Sequence, residues 1–306
     1  MKATIAINNY NYSSFLIDCI NSALNQTYKN IEVLVVDDGS TDNSLELLTS
    51  QFSTNNLVKI ISKKNGGQLS AFNEILRYVS GELIFFLDSD DLYKENYLTE
   101  VISIYKNNRD IDSIFCAHER IFSDRNVELI SKYTSNKSLG YGVLSSYLNR
   151  EWIGSVTSTI SMKTSVFRSF MPINLEKDWI TRADDCLVWG SSVVGAKKYF
   201  LSNPLVLYRV HGKNNYYNVK FSNDYLYKRE ISINKLFKHF SNASCIDFSN
   251  INVCELEYKS RNDISFSTFK NYLLINFKMQ KSSFLKLLTM FKLSLFYIKC
   301  NIKLSR

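Results

Sequence analysis

The chain has 306 residues, 45% of them hydrophobic and 22% charged, with a formal net charge of +8. That length holds one large domain, or an α/β domain with a smaller appendage, and the composition excludes wholesale disorder. Two prolines, Pro172 and Pro204, leave no proline-rich linker, and six cysteines without a CxxC pair argue against a zinc cluster or a dense disulfide framework.

Strand and helix patterns alternate from the start. Ala3 to Ile7 is a buried-strand pattern reached directly from Met1, without an apolar signal-peptide core. Ser13 is placed to cap a helix carrying Phe15, Leu16, Cys19, Ile20, Ala23 and Leu24. Ile31 to Val36 predicts a second strand, ending in Asp37-Asp38-Gly39-Ser40-Thr41-Asp42, where Ser40 or Thr41 would cap a helix through Leu45, Leu47 and Leu48. Leu57 to Ile61 is a third strand. Asn65-Gly66-Gly67 breaks the pattern, and a helix resumes from about Ser70 to Val79, ended by Ser80-Gly81.

Leu83 to Leu87 is fully apolar and runs into Asp88-Ser89-Asp90-Asp91; a helix then spans roughly Glu95 to Lys106. The rhythm predicts an α/β fold, a mostly parallel sheet flanked by helices, with ligands at the carboxyl ends of the strands. Both acidic clusters fall on that rim. Beyond Asp110 the alternation loosens: Ser113–Ala117 and Ser155–Met162 read as strands, Ala183–Gly195 as a helix, and Lys198–Val210 contains a further strand. From about Phe221 only helical periodicity remains, which divides residues 1–215 from a helical region, 216–306.

The acidic turn after the fourth strand holds three carboxylates within four residues, which repel one another unless a cation neutralises them. Oxygen ligands on a tight turn suit Mg²⁺ or Mn²⁺, which can bridge to a departing diphosphate. A solvated acidic turn capping the next helix would carry the same residues. Asp37-Asp38 reads either as an ordinary strand-to-helix turn or as a carboxylate for a base or ribose, and Asp184-Asp185 either as a helix cap or as a chemical group.

Order and combination add to this. Asn9-Tyr10-Asn11, Ser22-Ala23-Leu24-Asn25-Gln26-Thr27 and Val35-Val36-Asp37-Asp38-Gly39-Ser40-Thr41-Asp42 are followed by Asn65-Gly66-Gly67-Gln68-Leu69-Ser70-Ala71-Phe72-Asn73 and Phe86-Leu87-Asp88-Ser89-Asp90-Asp91. Then come Ala183-Asp184-Asp185-Cys186-Leu187-Val188-Trp189 and Tyr208-Arg209-Val210-His211. This ordered set, over about residues 3 to 215, resembles the family 2 inverting glycosyltransferases. The resemblance implies a GT-A fold with a C-terminal helical extension and a nucleotide-sugar donor, a UDP- or dTDP-sugar with UDP favoured. It implies a donor pocket of Asn9, Tyr10, Asp38, Asn65, Gly67, Asp88, Ser89 and Asp90. It implies Mn²⁺ or Mg²⁺ at Asp88, Asp90 and His211, and the acidic pair Asp184-Asp185 with Asp185 as the base for the acceptor hydroxyl. Trp152 falls where acceptor-facing segments lie in that family. Two positions depart from its pattern: Asn8 stands where Pro is common, and Phe72 where Arg is common.

The expected activity is metal-assisted single displacement onto a carbohydrate or lipid-linked glycan acceptor, in synthesis of a bacterial surface polysaccharide or glycoconjugate. A nucleotidyltransferase shares the need for nucleotide, metal and carboxylates. It would want a Gly-rich, basic loop after the first strand, where Asn8 to Asn11 stand instead. A polyanion-binding protein would account for the basic tail and leave the acidic motifs unexplained, so no nucleic-acid partner is expected. From Ile264 onward there is no Asp or Glu but eight positive charges, Lys270, Lys278, Lys281, Lys286, Lys292, Lys299, Lys303 and Arg306. On a helix, Lys281, Lys292, Lys299, Lys303 and Arg306 form one stripe beside a broad apolar surface, a pattern for the interface of an anionic bilayer or for a buried face with snorkelling lysines. No uncharged run reaches the ~20 residues of a membrane span. The expected location is cytoplasmic, with free thiols and peripheral contact at the inner membrane face.

Overall fold

The computed structural model describes residues 1–212, 214, 219–244, 253–261, 264–279 and 282–304. Its first half follows the predicted alternation: β1 (Ala3–Asn9), α1 (Ser13–Leu24), β2 (Ile31–Asp37), α2 (Ser44–Phe52), β3 (Val58–Ser62), α3 (Gln68–Tyr78) and β4 (Leu83–Asp88). These four strands pair in parallel in the order β3-β2-β1-β4. Their register aligns Asn9 with Asp37, and Asn8 with Asp88. One rim therefore collects the end of every strand that carries an acidic or amide motif.

The strands are apolar on both faces because both faces are covered, as parallel sheets require. Ala6, Leu34, Val36, Ile84 and Phe86 pack against Leu69, Phe72 and Ile75 of α3. Ile5, Ile7, Val33, Val35, Phe85 and Leu87 pack on the other side against Leu16, Ile20 and Ala23 of α1.

The second half supplies β5 (Leu92–Tyr93), α4 (Tyr97–Asn107), β6 (Ser113–Ile121), β7 (Val127–Ile130), β8 (Lys137–Gly140), α5 (Val143–Asn149), β9 (Ile160–Lys163), α6 (Thr164–Phe170), α7 (Asp184–Val193) and β10 (Lys198–Arg209). The full order is β3-β2-β1-β4-β9-β6-β10-β5, with β7 on β6 and β8 on β10. The half built from β1 to β4 is wholly parallel. β9 is antiparallel to both β4 and β6, while β6 and β10 run parallel. The strand expected over Ser155–Met162 begins only at Ile160. Thr157–Thr159 instead form a 3₁₀ turn, closed by Thr159, whose N–H and hydroxyl both donate to the Val156 carbonyl.

Among the described residues four helices follow: α8 (Asn223–Ser244), α9 (Cys254–Ser260), α10 (Phe266–Lys278) and α11 (Ser283–Leu304). α8 buries Ile233, Leu236, Phe237 and Phe240 in the same cluster as Phe86 and Trp189. Farther on, Arg261 forks onto Glu151 at 2.8 and 2.9 Å, and Glu257 accepts the N–H groups of Leu144 and Ser145 at the start of α5. The helical region is thus tied to the sheet region by apolar packing and by buried charge-assisted hydrogen bonds. Cys19, Cys116, Cys186, Cys254 and Cys300 are free thiols, and Cys245 lies outside the described residues.

Candidate active site

The rim after β1 and β2 is a network of short polar side chains. Asn9 donates from Nδ2 to Asp37 Oδ1 at 2.9 Å and to the Ser40 hydroxyl at 3.1 Å. Ser40 itself donates to Asp37 at 2.6 Å, so it does not cap α2 as expected. Helix α2 starts at Ser44, whose N–H meets Asp42 Oδ1 at 3.0 Å, while Asp42 Oδ2 accepts from the Ser13 N–H at the head of α1. Asp38 is buried and its carboxylate faces the Asn65-Gly66-Gly67 loop: it accepts from the backbone of Gly66 at 3.0 Å and Gly67 at 2.7 Å and pairs with Lys63. Asn65 Nδ2 donates back to the Asp38 carbonyl at 3.0 Å.

That loop brings in a distant segment. The Gln68 N–H donates to the Ile180 carbonyl at 2.8 Å and Leu69 N–H to Trp179 at 3.2 Å. Gly67 sits at φ +87°, and a Cβ there would meet the Ile180 Cα at 2.5 Å. Only glycine accepts both that torsion and that approach. Gly67→Ala is expected to cost about 1–3 kcal/mol through backbone strain alone, read as a lowered Tm, and to push residues 179–183 away from the rim.

Asp88, Ser89 and Asp90 project from the end of β4, with each carboxylate differently held. Asp88 Oδ1 accepts from Gln68 Nε2 at 3.0 Å. Loss of solvent, and then the charge of Asp90, push the Asp88 carboxyl up to about 7, against hydrogen bonds from Asn8, Thr157 and Gln68. Asp90 Oδ2 lies 3.1 Å from His211 Nε2, and the His211 ring stacks on Phe15 with centroids 4.6 Å apart. Asp91 is buried and engaged elsewhere, by the Ser158 hydroxyl at 2.5 Å and the Arg209 N–H at 3.0 Å. Arg209 also donates from Nε to the Asp90 carbonyl at 3.0 Å. Asp91 therefore braces the turn, and Asp88 and Asp90 face outward from it.

The acidic pair arrives on the opposite wall. Gln68 Oε1 accepts from the Ala183 N–H at 2.8 Å, so this one amide grips Asp88 with its nitrogen and the acidic segment with its oxygen. Arg182 holds a left-handed φ of 60°, unusual for a side-chain-bearing residue, and turns the chain into α7. Asp184 lines the cavity. Asp185 does not: it is fully buried, with Arg229 Nη2 at 2.6 Å and Arg182 Nε at 3.9 Å. Burial, then the charge of Asp185, raise the Asp184 carboxyl to about 7; Asp185 is also raised by burial, against Arg229 and Arg182.

These walls enclose a cavity of about 730 Å³ that brings together Asn9, Tyr10, Asp38, Asn65, Gly67, Asp88, Ser89, Asp90, Trp152 and Asp184. His211 stands at its edge, against Asp90, Asn214 and Tyr12 of the lining. Among the buried polar atoms of the lining, Asn8 Oδ1, Asn9 Oδ1, Ser89 Oγ and Asp184 Oδ1 have no hydrogen-bond partner in the described residues. Buried polar groups are normally paired, so such a cluster marks a place for a polar ligand. Among the described residues no group of three or more His, Cys, Asp and Glu side chains is arranged for a metal. Asp90 with His211, and Asp88 beside them, still suit an ion that takes its remaining ligands from water and substrate phosphate, the common mode for Mg²⁺. Gln68 and Arg182 were not singled out from the sequence. Gln68 lay inside a recognised motif, and Arg182 directly precedes the acidic segment, so adjacency was the available signal.

The model of one protein family, described as "Glycosyl transferase family 2", matches residues 4–170, which carry the whole parallel rim. The chain belongs to glycosyl transferase family 2. A glycosyltransferase of Nostoc sp. whose activity is uncharacterized is 34% identical over 220 residues, covering 71% of this chain and 67% of that one. A chondroitin synthase of Escherichia coli is 35% identical over 128 residues, 42% of this chain but 18% of that much longer protein. The crystal structure of residues 1–349 of S. aureus TarS in complex with UDP-GlcNAc superposes with a TM-score of 0.59 at 18% identity, covering 90% of this chain and 79% of that one. That likeness is of fold. Family membership decides for a glycosyltransferase over the nucleotidyltransferase and polyanion-binding readings.

Proposed function

We propose that this family 2 glycosyltransferase moves a sugar from a nucleoside-diphosphate donor, a UDP-sugar in the first instance, to a glycan hydroxyl with inversion at the anomeric carbon. The observation carrying this reading is the set of unpartnered buried polar atoms around one cavity, with Asp88 and Asp90 on one wall and Asp184 on the other. Chondroitin synthase among the relatives and UDP-GlcNAc in the TarS complex support a nucleotide-sugar donor and a surface polysaccharide or glycoconjugate product. Asp90, Asp88 and His211 would hold Mn²⁺ or Mg²⁺, which when bound supplies positive charge to the diphosphate leaving group. The protein's own part is positional. Asn9 and Asp38 shape the nucleotide end, Gln68 fixes Asp88 relative to the acidic segment, and the Asp184–Asp185 pair takes the acceptor proton. Two interacting carboxyls titrate as a unit, so the base is assigned to the pair.

A thermal-shift panel of UDP, dTDP, GDP and ADP, with and without Mn²⁺, tests the donor class. The expected result is stabilisation by UDP that requires the metal, amounting to about 2.7 kcal/mol at a hundredfold excess over Kd. No response to any nucleoside diphosphate would remove the reading.

The C-terminal helix supports a peripheral role at an anionic membrane. On α11, Thr289 and Leu293 turn inward and are buried, while Phe284 (73% exposed), Leu288, Phe291 (61% exposed), Leu295, Ile298 and Ile302 form an outward apolar stripe at helical spacing. Lys292 and Lys299 flank it; Lys281 and Arg306 lie outside the described residues, as does the Lys303 side chain. Single exposed apolar residues need no explanation, but a continuous stripe does. Lysines beside it and the absence of acids from Ile264 onward match an anionic bilayer. No helix among the described residues is long and apolar enough to cross a membrane. The full chain is expected to pellet with phosphatidylglycerol vesicles at low salt, and Phe291→Asp/Leu295→Asp to stay in the supernatant. Equal sedimentation of the two would exclude this face.

A further inference from the structure

A second cavity, of about 510 Å³, opens between residues 177–182 and α8. It shares Thr181 and Arg182 with the donor cavity, so the two meet at the segment that leads into the acidic pair. Its walls carry five cationic side chains, Lys177, Arg182, Lys228, Arg229 and Lys235, against one carboxylate of the lining, Asp178, which Lys235 meets at 2.6 Å; beyond the lining Asp224 pairs with Lys228 at 2.8 Å and Asp185 with Arg229, which leaves Lys177 and the Arg182 face toward the cavity. Tyr225 and Tyr227 add ring surface beside them. All of these residues lie beyond 4–170, the stretch shared across the family.

We propose that this cavity is the acceptor subsite, and that it selects an acceptor bearing oxyanion groups, phosphate or carboxylate. The proposal rests on the glycosyl-transfer reading above. Three observations carry it. A cleft lined mostly by one sign of charge concentrates the opposite sign from solution. Arginine presents a planar fork that matches an oxyanion with two donors, and Arg229 stands at the junction with its Nη2 2.6 Å from Asp185. Tyrosine rings offer flat, amphipathic surface to a sugar beside that charge. An oxyanion on the free edge of the Arg229 fork draws the guanidinium away from Asp185. Arrival of the acceptor then changes the countercharge on the acidic pair just where the acceptor hydroxyl must lose its proton. Arg229 acts here as a binding and positioning residue rather than a reacting one.

The test uses the full chain, with and without UDP and Mn²⁺, titrated by fluorescence anisotropy with three labelled oligomers of equal length: glycerol phosphate, glucuronate and neutral dextran. The anionic oligomers are expected to bind at least about tenfold tighter than dextran, with affinity falling as salt rises. Lys177→Ala/Lys228→Ala/Lys235→Ala is expected to lose about tenfold in that affinity while its UDP-induced thermal shift stays at the wild-type value. Preference for glycerol phosphate over glucuronate assigns a phosphate-bearing acceptor, and the reverse a uronate-bearing one. Equal binding of dextran, unchanged anionic binding by the triple variant, or displacement of the anionic oligomer by UDP overturns the proposal. Anionic binding intact in a wild-type chain that ignores every nucleoside diphosphate overturns instead the donor reading beneath it.

Discussion

Asp184→Asn lowers kcat by about 10²–10⁴-fold, the usual contribution of a positioned carboxylate base, while the thermal shift with UDP and Mn²⁺ persists. The asparagine keeps the shape of the cavity wall and removes the proton-accepting oxygen. Asp185→Asn gives a similar loss of transfer and adds a drop in Tm, because it strips Arg229 of a buried partner, and breaking one half of a buried ion pair costs roughly 3–5 kcal/mol. The two variants thus differ in stability and agree in chemistry. A pH profile supplies the independent check. The Asp184 carboxyl is raised to about 7, so it carries a proton below that pH and cannot take another. Wild-type kcat/KM is therefore expected to rise with pH through about 7 and then level off, and Asp184→Asn to lose that limb. Full transfer by both variants would remove the pair from the base role.

The second large effect is expected at Asp90. Asp90→Ala removes the carboxylate that faces His211 and leaves the turn itself braced, since the brace is built from Asp91, Ser158 and the Arg209 backbone. Fold and Tm without ligand should stay close to wild type. The metal-dependent part of UDP binding should vanish, erasing a stabilisation of about 2.7 kcal/mol at a hundredfold excess over Kd. Without metal, the variant should respond to UDP no differently from wild type. An undiminished Mn²⁺ effect in the variant would assign the ion elsewhere.

Much of the parallel half was legible because each of its strands is a short apolar run ending abruptly in polar residues. The second half was less so, for local reasons. β7 is mostly solvent-exposed and gives no alternating burial pattern, and β5 is two residues long. Around Thr157–Thr159 the threonine hydroxyl bonds its own turn, so β-prone residues are diverted from the strand. At the site, motif order named most of the cavity wall. It did not reveal Gln68, whose partners stand 20 and 115 residues away, because contacts at such separation leave no periodic trace. Nor did it tell the two acids of the pair apart: Arg229, on a helix beyond the motifs, draws Asp185 inward and leaves Asp184 at the surface of the cavity.

The placement of α8 bears on how such enzymes can be recombined. Its aromatic residues fill the same core as α7, with Phe237 edge-on to Trp189 at 5.5 Å, and its Arg229 neutralises the acidic pair. A chimera joined near residue 215 would therefore lose more than a neighbour. It would leave an unfilled hole beneath α7 and an orphaned carboxylate inside it. Exchange of acceptor preference between relatives should succeed only when the crossover carries α7 and α8 together, so the natural unit of inheritance spans the junction rather than stopping at it.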